Sequence, residues 1–194
     1  TRKHVLKYDD VMNRQRETIY GLRRQLMFEP EHREYLLGET GVAKDLLGDL
    51  TGSFLSLDVS PDKWEIETYA AEIESIYAID PARDAGVDFK RMNPMEIEEA
   101  IWKKASANYA EKEKLAGEES LRAYERYIML NIIDTQWKDH LLSIDHLKQG
   151  IGLVGYGQKD PLVEYKKQSF DMFQDMLDRI DTNTSKSLFH LEVV

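Results

Sequence analysis

Gly150, Gly152 and Gly155 reproduce the Gly-x-Gly-x-x-Gly spacing of a dinucleotide loop. That chemistry needs a strand before the glycines and a helix after them, so that pyrophosphate meets a helix N-terminus. Here a long helical pattern precedes them and no parallel-strand pattern occurs anywhere, so the spacing carries no nucleotide site. A Gly-x-x-x-x-Gly-Lys-Ser/Thr phosphate loop is also missing. Histidines stand at 4, 32, 140, 146 and 190, and His140 and His146 are six residues apart. Six residues turn a helix by roughly 240°, so these two do not converge on a metal, and all five read as isolated surface or interface side chains. The sequence has no cysteine, which excludes disulfides, thiolate catalysis and Cys-ligated zinc. Its many carboxylates show no acid/base or metal-ligand spacing and read as a solvated face.

With catalysis unsupported, the informative residues are those that place one helix against another. Val5, Tyr8, Met12, Gln15, Ile19, Leu22 and Leu26 alternate spacings of three and four, a heptad-like stripe broken only by Gln15. A first helix over residues 1–27 would be about 40 Å long. From 118 to 149 there is neither Gly nor Pro, and Leu130, Ile133, Trp137, Leu141 and Ile144 form a second stripe. Gly150 is expected to stop this helix and open a loop over about 150–161. Asp160-Pro161 then restarts the chain as N-cap and first helical residue, and Phe170, Phe173, Leu177 and Ile180 repeat along it. Two long helices joined by one compact loop predict an antiparallel hairpin. Its loop carries apolar Ile151, Leu153, Val154 and Tyr156 with little local core to cover them. Each long stripe is too large to leave exposed, so the first helix is expected to pack on the hairpin, with Tyr8, Met12 and Ile19 against Trp137 and Leu141.

Between these parts lies an acidic middle. Residues 1–27 carry a net +4, residues 28–120 a net −12 and residues 121–194 a net −2, in a chain of 194 residues with net charge −10. The pattern suggests an inserted lobe, and the overall acidity argues against nonspecific nucleic-acid binding. Short helices are expected in that lobe. Ser60-Pro61 should start one carrying Trp64, Ile73, Ile76 and Tyr77, and Asp80-Pro81 should end it. Asn93-Pro94-Met95-Glu96 spells a capping box. Glycines 38, 41, 48 and 52 mark irregular chain. No run is apolar enough to span a bilayer and no secretory signal is visible. The sequence also opens mid-pattern without a Met, as expected of a piece of something longer. The fold class is all-α: a long scaffold helix (1–27), an inserted helical lobe (28–116), and a continuation with a two-helix finger (117–194).

Several stretches carry a family resemblance. Lys7-Tyr8-Asp9-Asp10-Val11-Met12-Asn13-Arg14-Gln15-Arg16 resembles the opening of the long scaffold helix in the SecA family of bacterial preprotein translocase motors. Trp137-Lys138-Asp139-His140-Leu141, Leu147-Lys148-Gln149-Gly150-Ile151 and Gly155-Tyr156-Gly157-Gln158-Lys159-Asp160-Pro161 are similar to that family's C-terminal region, in the same order. Residues 61–64 fit its helical wing more loosely. The resemblance implies a scaffold interrupted by a wing and ending in a two-helix finger. The family pushes unfolded preproteins through the SecY channel with ATP. The ATP and magnesium sites belong to nucleotide-binding domains outside this sequence, so no cofactor is expected within it. Implied partners are the SecY complex, the unfolded preprotein and those nucleotide-binding domains, with self-association open. The implied location is cytoplasmic, peripheral at the plasma membrane. The finger tip contacts the moving chain in this family, which points to Tyr156 with Ile151, Leu153 and Val154. Many relatives have Arg where this sequence has Val154, so a polar contact by that Arg does not carry over. A stand-alone helical adaptor or protein-interaction bundle would show the same stripes.

Overall fold

The computed structural model describes residues 2–28, 32–154 and 160–194, the side chains of His4 and Val154 excepted. Every regular element among them is helical: α1 (Arg2–Phe28), α2 (His32–Leu37), α3 (Val42–Phe54), α4 (Ile66–Tyr77), α5 (Pro81–Ala85), α6 (Pro94–Ala116), α7 (Glu118–Val154) and α8 (Pro161–Phe189). No helix among the described residues is long and apolar enough to cross a membrane. Two compact units divide the chain, one formed by Thr1–Glu29 with Met129–Ile180 and the other by Pro30–Ile128 with Asp181–Val194. α7 therefore begins in the second unit and continues in the first, and α8 takes the reverse path.

In the first unit the apolar stripes select the buried faces. Met12, Gln15, Ile19 and Leu26 of α1 are buried, as are Ile133, Trp137, His140, Ile144 and Ile151 of α7. α8 buries Phe173 and Ile180 of its expected stripe and half-buries Leu177. Tyr165, Ser169, Phe173, Met176 and Ile180 are buried, whereas Phe170 is 58% exposed. Ser169 is the residue of α8 whose carbonyl meets Gln15 of α1, and Phe170 beside it is left exposed.

α7 does not stop at Gly150 but runs on through Gly152 to Val154. A helix-interior glycine costs only about 1 kcal/mol, and burying Ile151, one heptad after Ile144, outweighs it. The Asp160 carboxylate accepts the Leu162 amide at the start of α8, as an N-cap should.

The second unit packs α3 against α2, α4 and α6, with α5 on α4 and α6. Asn93 and Glu96 form the reciprocal capping box of α6, at 2.9 Å in both directions. Three expectations fail here. Ser60-Pro61 opens only a 3-10 turn over Pro61–Lys63, because Trp64 turns extended (ψ 140°) and its indole N–H donates to the Ser56 carbonyl at 3.0 Å. α4 starts at Ile66 and ends with left-handed Ala78, so Asp80-Pro81 does not end it. Instead Asp80 caps α5, accepting the Arg83 amide. Gly48 and Gly52 lie inside α3, whose buried Ala43, Leu47 and Thr51 hold the helix through them.

Candidate functional site

The long helices of the first unit are joined by a buried polar relay. Gln15 on α1 donates through Nε2 to the Ser169 carbonyl of α8 at 3.1 Å. A carbonyl only accepts, so this bond orients the Gln15 amide and leaves its Oε1 facing His140 Nε2 of α7, 2.7 Å away. Nε2 must therefore carry the imidazole proton and donate it. The ring lies between Trp137 and Phe173, with centroids at 5.6 and 5.7 Å. Burial, then the nearby Arg179 charge, pushes His140 down from 6.5 to about 4, so the ring is neutral at physiological pH.

Contacts on either side of the relay give the helix directions. Asp9 meets Lys148 at 3.8 Å, and Arg23 pairs with Asp134, so α1 runs antiparallel to α7. The Tyr8 ring meets Tyr165 at 4.8 Å, tilted by 54°, and with the Gln15–Ser169 bond this makes α1 parallel to α8. Burial first, then Asp9 and Asp145, pushes the Tyr165 phenol up to about 12. Beside the Lys148 end lie two clefts. One of about 370 Å³ is lined by Met12, Leu141 and Ile144 and by charged Asp9, Arg16, Asp145 and Lys148. The other, about 350 Å³, is more apolar and is formed by Val5, Tyr8, Ile151, Gly152 and Pro161, with Asp9 and Lys148 on it. Among the described residues no group of His, Asp and Glu is placed to hold a metal. Such a surface can grip another chain by apolar contact, rimmed by exposed charge.

The second unit has a polar cluster of its own. Glu125 of α7 is fully buried and accepts from Tyr109 Oη at 2.6 Å and His32 Nε2 at 2.9 Å, and from Arg122. Arg122 also reaches Glu113, which Arg33 contacts at 3.1 Å. Desolvation, reinforced by the Glu125 charge, holds the Tyr109 phenol far above its ordinary value.

A family model described as "SecA Wing and Scaffold domain" matches residues 1–192, nearly the whole chain. The chain belongs to the SecA wing-and-scaffold family. Relatives called "Protein translocase subunit SecA" include that of Koribacter versatilis, 43% identical over 193 residues and all of this chain. Those of Acidobacterium capsulatum and Halothermothrix orenii are 40% and 38% identical, over 100% and 99% of the chain. The chain spans about a fifth of the length of these relatives, 19% to 22%.

Within this wing-and-scaffold chain, Met12, Ile19 and Trp137 are buried in the first unit, while Tyr8 and Leu141 are half-buried there. The expectation that Ile151 is an uncovered loop residue is corrected: it lies in α7 one heptad after Ile144 and is only 4% exposed, whereas Leu153 is 76% exposed. Tyr156 and the Val154 side chain lie outside the described residues. The reading of all histidines as isolated surface or interface groups is corrected at two positions: His32 and His140 are buried and hydrogen-bonded. For His140 the signal was present, since it falls three residues after Trp137 and four before Ile144, on the same helical face. Gln15 carried one too, because a polar residue at a stripe position is a partner-seeking residue as much as a break. Glu125 and His32, 93 residues apart, gave none.

Proposed function

We propose that this chain is the scaffold, wing and finger part of a motor that drives preproteins through the SecY channel, with ATP and magnesium held by domains outside it. The observation that carries the reading is the pair α7 and α8, each passing through both compact units, in a chain of the SecA wing-and-scaffold family. Helices shared between two units suit a part that couples other domains to a substrate. The hairpin end would contact the moving polypeptide through Tyr156, Leu153 and Val154. A tyrosine suits variable substrates, because its ring packs on apolar groups and its hydroxyl bonds to backbone in any sequence. The SecY complex, the unfolded preprotein and the nucleotide-binding domains are the partners in this reading, and the site of action is the cytoplasmic face of the plasma membrane.

The test is preprotein translocation by the full-length motor carrying Tyr156→Ala, with ATPase activity and thermal melting as controls. Translocation should fall while melting stays unchanged. Normal translocation would remove the contact role, and a large loss of melting temperature would make the ring a structural plug of the turn instead.

A further inference from the structure

We infer that the Gln15–His140 hydrogen bond is a register lock, which fixes α1 at one axial position against α7, with the Ser169 carbonyl of α8 orienting the Gln15 amide for it. The rest of the α1 stripe is permissive. Met12, Ile19 and Leu26 are buried aliphatic side chains at helical spacing, and the buried residues of α7 and α8 in the same unit are mostly aliphatic and aromatic. A slide by one turn, about 5.4 Å, would again set apolar groups on apolar groups, so dispersion and burial discriminate weakly between registers.

Gln15 discriminates strongly. It is the buried polar side chain among the described residues of α1, and both ends of its amide are used. One turn away in either direction its α7 neighbours would be Trp137 or Ile144, and its α8 neighbours Tyr165 or Phe173. Each direction offers Gln15 one side-chain group, the Trp137 indole N–H or the Tyr165 hydroxyl, but neither direction returns an acceptor to His140. The slide would also strip His140 of its acceptor while the ring stays enclosed by Trp137 and Phe173. The buried side-chain bond between His140 and Gln15 is lost, and the imidazole N–H that made it is stranded away from water, whereas the Ser169 carbonyl is main chain and has an equivalent one turn away. A single buried polar residue in an otherwise apolar helical seam is the best-attested device for selecting one register. The exposed pairs Asp9–Lys148 and Arg23–Asp134 lie along the same seam but are solvated, and long side chains can re-pair after a shift.

The test measures register directly. The native sequence has no cysteine, so Arg24→Cys and Gln149→Cys, both at exposed positions, take spin labels without background in the full 194-residue chain. Pulsed electron-resonance distances should show one narrow population with the relay intact. Gln15→Leu, and Gln15→Leu combined with His140→Phe, should keep the helical circular dichroism. Both should add or substitute a population displaced by about one turn, roughly 5 Å. An unchanged single distance in both variants overturns the lock. So does loss of helix in either, because the relay would then supply stability that the apolar seam lacks.

Discussion

His140 ties protonation to stability. Its imidazole is pushed down to about 4 in the folded chain, against an ordinary 6.5. Below about 6.5 the unfolded chain takes up a proton that the folded ring refuses until about 4, so the unfolded state binds more protons throughout that window. The contribution is complete above the ordinary value and is lost as pH falls toward the folded one, at up to ~1.4 kcal/mol per pH unit. Urea denaturation across the window should show this slope, and His140→Phe should flatten it. His140 has no metal-ligand spacing to the other histidines. Its position on the Trp137 and Ile144 face was legible, whereas the acceptor came from Gln15, on another helix 125 residues away.

At the scale of elements, helix starts were read well where the signal was a local hydrogen bond. The capping box at Asn93 and the Asp160 cap need nothing beyond three or four neighbouring residues, and both form. Stops were read poorly, because a glycine weakens a helix by an amount that tertiary burial can exceed. Gly150 and Gly152 in α7, and Gly48 and Gly52 in α3, all stay helical. The same argument predicts a gain on substitution. A Cβ added at Gly150 meets nothing within 4 Å, so alanine there removes backbone entropy from the unfolded chain without a clash. Gly150→Ala should stabilise by about 0.5–1 kcal/mol, read as a rise of about 1–4 °C in melting temperature. No change, or a fall, would mean that the position is constrained by something other than helix formation.

At the scale of the molecule, three charge regions of the sequence correspond to two compact units that exchange segments. Net charge reports which stretch is solvated, not which stretch closes which core, so the role of Asp181–Val194 in the second unit was not legible. Glu125 shows how much that unit rests on distant partners. Replacing it with alanine leaves Arg122 and His32 without the carboxylate between them and should destabilise the unit by about 3–5 kcal/mol, measured by chemical denaturation. The same unit is finished by Phe189, whose ring meets Tyr77 at 5.1 Å and Tyr109 at 5.7 Å, while Lys112 bonds its carbonyl. Ending the chain at Ile180 should therefore loosen the Tyr77 and Tyr109 core, seen as lost near-ultraviolet tyrosine dichroism. Synthesis from the N-terminus adds a timing consequence. The ribosome releases α2 to α6 long before the segment that seals them, so this unit has to wait, unsealed, until residue 189 has cleared the exit tunnel.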